Sequence, residues 1–149
     1  MRMENSSSGD EELHVLCFSL DDNLFALPVR SIVKVTQMMA YNPVDLDVEG
    51  IVGMVNLHGK EAYLVDISTR LKLPPRELTP EKVIIFLEDS GVLSGIVADE
   101  LKEIYELDRE KLNRSKLSSK LISSVLLLNG EAVALLSPEA ITGMVKPWI

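Results

Sequence analysis

Few residues of this chain have side chains of the kind that perform catalysis or bind metals. The two histidines are His14 and His58, and the one cysteine is Cys17. A single cysteine excludes an internal disulfide and a zinc site built on cysteines. Neither histidine belongs to a recognisable motif with a Ser or Cys nucleophile. The sequence therefore predicts no catalytic residue, no metal and no cofactor, and His58 is interpreted as an exposed residue at a hairpin tip.

The acidic residues that stand near one another are interpreted as structural or solvated. Asp66 follows an apolar run and precedes a short amphipathic segment, which is typical of a residue that caps a helix. The pairs Asp21-Asp22 and Asp99-Glu100 fall at an expected turn and at an expected helix start. Paired carboxylates for acid–base catalysis need a cleft, and hairpin tips rarely supply one.

Composition narrows the class of protein. The chain has 149 residues, a formal net charge of −8 and a pI near 4.8. An acidic chain lacks the basic face that phosphate contacts need, so a nucleic-acid binder is disfavoured. The N-terminus lacks the apolar segment of a signal peptide, and no run approaches the roughly 18 apolar residues of a membrane helix. We expect a cytoplasmic protein without membrane insertion.

The basic stretch Arg109–Lys120 is interpreted as a solvated loop, with contact to an acidic partner left open.

Short apolar runs separated by turn residues predict a mainly β fold with an aliphatic core. Hairpins are expected at Asp21-Asp22-Asn23, His58-Gly59, Asp89-Ser90-Gly91 and Asn129-Gly130. Residues 1–12 are Ser-rich and acidic, and they are predicted to form a disordered tail.

Two short helices are expected between these hairpins. The first begins at Pro28, with Val29, Ile32 and Val33 on one face. The second is capped by Asp99, and its Leu101 and Ile104 share a face.

The chain contains a weak internal duplication. Val15–Val35 matches Val83–Glu103, which sets Phe18 opposite Phe86, and Val55–Val65 matches Leu126–Leu136. Each half has too little apolar surface for independent stability. The duplication therefore predicts paired small β-barrels that share one core.

The order of these motifs resembles the CheW-like family, the chemotaxis coupling domain of bacteria and archaea. The family pattern is approximately G-v-i-N-L-R-G followed by v-P-i-v-D-L, and this chain has GMVNLHG followed by LVDI. FALPVRSIVKV resembles the family's first strand and helical turn, LSGIVADELKEIYEL its second-half strand and helix, and LNGEAVALLSPEAI its final hairpin. The resemblance extends from Leu13 to Val145.

The resemblance implies two SH3-like five-stranded β-barrel subdomains around a shared aliphatic core, with short helices. It implies a single domain over residues 13–149, with a first barrel near 13–76, a second near 82–147, and exchange of strands between them left open. It also implies a non-enzymatic adaptor that joins the regulatory domain of a CheA-type histidine kinase to the cytoplasmic tip of a chemoreceptor. A stand-alone adaptor is the expected form.

Two departures from the family pattern bear on partner choice. His58 stands where the family usually has Arg, and Lys34 stands where an acidic residue is usual. In the family these positions are near one another and near the receptor surface, so an acidic–Arg pair would be replaced by Lys and a mostly neutral imidazole. The resemblance implies partner binding by Val33, Lys34, Val35, Gly53, Met54, Asn56, Leu57, His58 and Gly59.

Two alternatives remain open. The chain could be a divergent CheW-like scaffold with altered receptor specificity in another motility or signalling array, because a change of charge sign at an interface changes which partner it accepts. It could also be an SH3- or OB-like module with a different ligand, although an oligonucleotide-binding barrel would need a basic groove with stacking aromatics.

Overall fold

The computed structural model describes residues 12–44, 50–74, 77–108 and 120–146. Within them the fold is mainly β, as predicted, with a 3-10 turn at Val29–Ser31 and one short helix. The strands are β1 Glu12–Leu20, β2 Asn23–Pro28, β3 Ile32–Gln37, β4 Asn42–Pro43, β5 Ile51–Leu57, β6 Lys60–Val65, β7 Val83–Asp89, β8 Val92–Ala98, β9 Glu100–Asp108, β10 Ile122–Leu128 and β11 Glu131–Leu136, and the helix is α1 Pro138–Val145.

The strands form two sheets. The first sheet has the order β10-β11-β2-β1-β9, and the second has the order β3-β7-β8-β6-β5-β4. In each sheet, strands from the two halves of the chain meet at one parallel and one antiparallel contact. The parallel contacts are β11 with β2 and β6 with β8, and the antiparallel contacts are β1 with β9 and β3 with β7. Two sheets of this size are compatible with SH3-like subdomains, and the division of the chain at residues 76–82 stays a prediction.

The four predicted hairpins are confirmed. Each has a two-residue turn with positive φ at both positions, such as His58 at 52° with Gly59 at 85° and Asn129 at 50° with Gly130 at 80°. Such turns match the right-handed twist of the flanking strands, and they favour Gly or Asn because other residues are strained at positive φ. The turns therefore fix the register of the hairpins on which the candidate site is built.

The first predicted helix is only the 3-10 turn at Val29–Ser31, with Pro28 as its N-cap, and the second predicted helix is a strand. Ile32 belongs to β3 and Leu101 to β9, and both strands carry an extra residue against their partner strand. The bulge makes residues three apart share one face, which imitates the spacing of a helix. Thus Leu101 and Ile104 lie opposite Phe18 and Leu16, two strand residues that share a face.

The structure shifts the internal duplication by one residue. The hairpin of β1 and β2 ends with Leu20 paired to Asn23, and that of β7 and β8 ends with Asp89 paired to Val92. When the two hairpins are aligned at their turns, the residue equivalent to Phe86 is Cys17 and not Phe18. Neighbouring residues of a strand point to opposite faces, so an alignment that is wrong by one residue compares side chains on different faces. Phe18 and Phe86 accordingly pack in different hydrophobic clusters.

Three clusters of buried residues make up the core. The largest lies between the sheets and includes Phe18 and Ile85, with Ile141 of α1 covering it. A smaller cluster belongs to the first sheet and contains Cys17, while the third belongs to the second sheet and contains Phe86. The core is mainly aliphatic, as the composition predicts.

The helix α1 was not predicted, although its start is marked in the sequence. Ser137 is its N-cap and its Oγ accepts a hydrogen bond from the Ala140 N–H at 3.2 Å, while Pro138 occupies the first turn. Ser followed by Pro and Glu139 is a recognised helix-start signal.

Several sequence predictions fall partly outside the described residues. Residues 1–11 of the predicted tail lie outside them, whereas Glu12 begins β1. Residues 109–119 of the basic stretch also lie outside, and Lys120 occupies a turn.

Candidate docking surface

The structure brings the two unusual residues, Lys34 and His58, into direct contact. Lys34 lies on β3, and His58 lies at the tip of the hairpin formed by β5 and β6. The Lys34 Nζ and His58 Nε2 atoms are 2.8 Å apart, and both side chains are exposed. Since an ammonium group has donors only, the imidazole accepts at Nε2 and carries its proton on Nδ1.

This contact differs in charge from an acidic–Arg pair. An ammonium and a neutral imidazole together carry one positive charge, whereas a carboxylate and a guanidinium cancel. The pair is therefore a local positive site on a chain whose net charge is −8.

Val33 places an apolar side chain beside this positive site. It is the extra residue in the bulge of β3 against β7, and 52% of its surface is exposed. β3 is the last strand at its edge of the second sheet. A bulge at a sheet edge redirects a side chain and interrupts the pairing pattern that would promote aggregation.

The hairpin that carries His58 makes one stabilising contact within its turn and one with β7. The Asn56 Oδ1 atom accepts a hydrogen bond from the Gly59 N–H at 2.8 Å, which closes the turn. Lys60 Nζ then forms an ion pair with Glu88 Oε2 of β7 at 2.7 Å. Neighbouring Leu57 is partly buried against the cluster of the second sheet.

These contacts also show how the second sheet curves. β3 and β5 lie at or near opposite edges, yet Lys34 of β3 reaches the hairpin of β5. β6 and β7 are separated by β8, yet Lys60 and Glu88 meet. The sheet is therefore curled enough to bring its two edges together at this end.

The other predicted binding residues lie deeper. Val35 and Met54 are partly buried and pack against the central cluster. Gly53 is buried, and a Cβ atom there would lie 2.5 Å from Tyr41 Cδ2 and 2.6 Å from the Asn42 carbonyl oxygen. Residue 53 therefore has to be glycine because the chain's own segment around β4 lies against it. A partner-binding role for the nine residues stays a prediction.

Asp66 has the capping interaction expected of it, but in a series of turns. Its Oδ1 atom accepts a hydrogen bond from the Ser68 N–H at 3.0 Å. The Leu71 N–H then donates to the Ile67 carbonyl oxygen at 3.0 Å.

Asp99 joins two parts of the fold and does not cap a helix. Its Oδ2 atom accepts from the Asp21 N–H at 2.8 Å, and its Oδ1 atom lies 3.0 Å from Lys82 Nζ. In the ranges that the structure describes, no group of three or more His, Cys, Asp or Glu side chains is placed to hold a metal ion.

Comparison with known proteins identifies the family. A family model described as CheW-like domain matches residues 14–146, which is nearly the whole chain. The chain belongs to the CheW-like family. Among the described residues, no helix is long and apolar enough to cross a membrane.

Two similar CheW-like proteins illustrate the extent of the match. A probable chemotaxis protein CheW of Rhizobium etli is 21% identical over 144 residues, which cover 93% of this chain and 92% of that protein. The crystal structure of the scaffolding protein TtCheW from Thermoanaerobacter tengcongensis superposes with a TM-score of 0.76 at 19% identity, over 84% of this chain and 88% of that one. The structural likeness supports the same fold.

Sequence reasoning missed the ion pair that fixes the CheW-like hairpin. Glu88 has no motif around it, and its partner Lys60 is distant in sequence. Only the curvature of the sheet brings them together, and no local pattern encodes that curvature. By contrast, the Lys34–His58 pair could be noticed because both residues depart from the family pattern.

Proposed function

We propose that this protein is a chemotaxis scaffold that couples a CheA-type histidine kinase to the cytoplasmic tips of chemoreceptors, without catalysing a reaction. The observation that carries this proposal is the CheW-like match over residues 14–146. Similarity to a probable chemotaxis protein and to a scaffolding protein supports it. Such a role would be carried out in the cytoplasm and requires shaped surfaces, not reactive groups.

The receptor would contact the exposed part of the second sheet around Lys34 and His58. This surface, called here the Lys34–His58 surface, consists of Val33, Lys34, Asn56, His58 and Gly59, all exposed. An apolar residue surrounded by polar ones is the usual arrangement of a reversible interface. The backbone around it is already ordered by the Asn56 hydrogen bond and the Lys60–Glu88 ion pair, so little entropy would be lost on binding.

Pairwise binding tests this proposal. The protein is titrated, by calorimetry, with the regulatory domain of the CheA-type kinase from the same organism and separately with a receptor signalling-tip fragment. Saturable binding to both is expected. Absence of binding to both partners would contradict a scaffold role, because a coupling protein must hold two partners.

A second candidate is a scaffold of the same fold with altered receptor specificity, and the Lys34–His58 contact favours it. The net positive pair attracts a partner carboxylate and repels a partner Arg or Lys, the reverse of the preference around an acidic residue. Long-range charge at an exposed interface mainly changes association rate and partner choice.

A double charge exchange tests this candidate. Lys34→Glu with His58→Arg restores the family's charge pattern and should raise affinity for receptor tips from ordinary arrays. Lys120→Gln, at an exposed turn, makes the net charge more negative by one, as the double exchange does, and serves as the control for a simple change of net charge. If the exchanged protein and the control bind those tips with the same affinity as the parent, the two departures do not set specificity.

A further inference from the structure

The two halves of the duplication differ at one interior position. In the second sheet Phe86 pairs with Gly95, and the aromatic ring fills the space beside the glycine. In the first sheet the equivalent pair is Cys17 with Ala26. A thiol is much smaller than a phenyl ring, so the first sheet has less side-chain volume to fill the corresponding space.

A cavity of about 650 Å³ lies at this place in the first sheet. Its apolar lining is formed by Cys17, Leu24, Leu101, Tyr105, Leu128 and Val133. A volume of this size falls within the range of about 300–1,000 Å³ that is usual for small-molecule sites. The cavity is therefore large enough for a small ligand with an aromatic or aliphatic body.

Two buried polar side chains belong to the lining of the cavity. Cys17 is 2% exposed and Ser19 is 6% exposed, and both line the cavity. Buried polar groups are normally paired with protein or water. Ser19 brings one hydroxyl group to the lining of the cavity.

The cavity is surrounded by negative charge. Four lining residues are acidic, and Lys102 is the one basic residue among them. The acidic residues are Asp22, Glu100, Glu103 and Glu131. Lys102 Nζ lies 4.0 Å from Glu100 Oε1, so it balances at most one of the four carboxylates.

The pKa values of two side chains that line the cavity are raised. Burial, followed by the charge of Glu103, raises the pKa of Cys17 to about 11. Burial and the Glu103 charge also raise the pKa of Tyr105. Burial disfavours a charge of either sign, whereas the second cause, the negative charge of Glu103, acts in favour of a cation.

We propose that this cavity binds a small organic cation, an ammonium group carried on an aromatic or short aliphatic body. The carboxylates around the cavity would attract the ammonium group, Tyr105 supplies an aromatic ring for a cation–π contact, and the apolar lining would contact the body. This site is in the first sheet, whereas the Lys34–His58 surface is on the second, so the inference goes beyond the scaffold function and stands apart from it.

A series of matched ligands tests the chemistry of the site. The folded protein is titrated with 2-phenylethylammonium, neutral 2-phenylethanol and anionic 3-phenylpropionate, followed by the NMR signals of Leu24, Leu128 and Val133. Saturable shifts are expected for the ammonium compound with a dissociation constant of about 1–10 mM, as is usual for a ligand of this size. The anion is expected to bind at least about tenfold more weakly. Equal binding of all three, or no saturable shift with the cation, would overturn the proposal.

Two variants test the location of the site. Cys17→Phe with Ala26→Gly recreates the Phe86–Gly95 pair and should abolish binding by filling the cavity. Glu103→Gln, an exposed change that leaves the core intact, should weaken cation binding about fivefold. Glu61→Gln, an exposed change in the second sheet, should leave it unchanged. If Glu103→Gln and Glu61→Gln bind the cation with the affinity of the parent, the ligand is not held by this cavity.

Discussion

Replacing Gly95 by alanine offers a quantitative test of the packing in the second sheet. A Cβ atom at residue 95 would lie 2.8 Å from Ile84 Cγ2 and 3.2 Å from Phe86 Cε1. Both neighbours are fully buried, so neither has free space into which it can move. Gly95→Ala should therefore force the Phe86 ring out of its position.

The expected cost follows from two opposing effects. Overpacking of a filled core costs about 1–3 kcal/mol. Alanine in a strand interior recovers roughly 0.5–1 kcal/mol relative to glycine, because glycine loses more backbone entropy on folding. We expect a net destabilisation of about 1–2 kcal/mol, which lowers the urea midpoint by roughly 0.5–1 M if the slope is about 2 kcal/mol per molar.

A double-mutant cycle separates overpacking from a general loss of stability. Unfolding in urea is followed by far-UV circular dichroism for Gly95→Ala, Phe86→Leu and the double variant. The leucine removes the ring that collides with the new methyl group, so the double variant should be less destabilised than the sum by about 1 kcal/mol or more. Ala26→Gly, at the equivalent place in the first sheet, should lose roughly 0.5–1 kcal/mol through backbone entropy and about 0.8 kcal/mol through loss of the buried methyl group. Additive costs, or a Gly95→Ala protein as stable as the parent, would refute this account of the packing.

Other expected outcomes follow from single features of the structure. Ser94→Ala should be neutral or stabilising by up to about 1 kcal/mol in urea unfolding, since the buried Ser94 Oγ has no hydrogen-bond partner among the described residues. Gly59→Ala should lower stability by about 1 kcal/mol in the same assay, because φ at this residue is 85° although nothing lies near the added methyl group. Cys17 should react slowly with N-ethylmaleimide at pH 8 in the folded protein and quickly in urea, because burial raises its pKa from 9.0 to about 11. The Cys17 thiol keeps its proton to higher pH in the folded protein than in the unfolded chain. Its contribution to the free energy of unfolding is therefore present below about pH 9 and is lost as the pH rises toward 11. The Cys17→Ala variant should not show this loss.

The sequence was sufficient to predict the fold class and the turns. Each hairpin turn contains residues that tolerate positive φ, so local chemistry alone locates His58-Gly59 and Asn129-Gly130. The alternation of short apolar runs with these turns then leaves little room for any architecture but packed sheets. For the candidate site, the same turn prediction correctly placed His58 at an exposed tip.

Features that depend on distant contacts could not be predicted. The bulges in β3 and β9 arise from pairing with another strand, and they made Ile32 and Leu101 resemble helix residues. The one-residue shift in the duplication depends on hairpin register, so Phe18 and Phe86 were matched although they face different clusters. The contact of Lys34 with His58 required the family resemblance, because nothing in the sequence alone shows that the second sheet curls.

The most direct test of the proposed scaffold role is whether this protein bridges its two partners. The regulatory domain of the CheA-type kinase is immobilised, and a receptor signalling-tip fragment is passed over it with and without the protein. The account predicts that receptor is retained only when the protein is present, and that Lys34→Glu with His58→Arg changes the amount of receptor retained but leaves the protein's own binding to the kinase domain unchanged. Failure of the protein to retain any receptor, with both partners shown to be folded, would contradict the account.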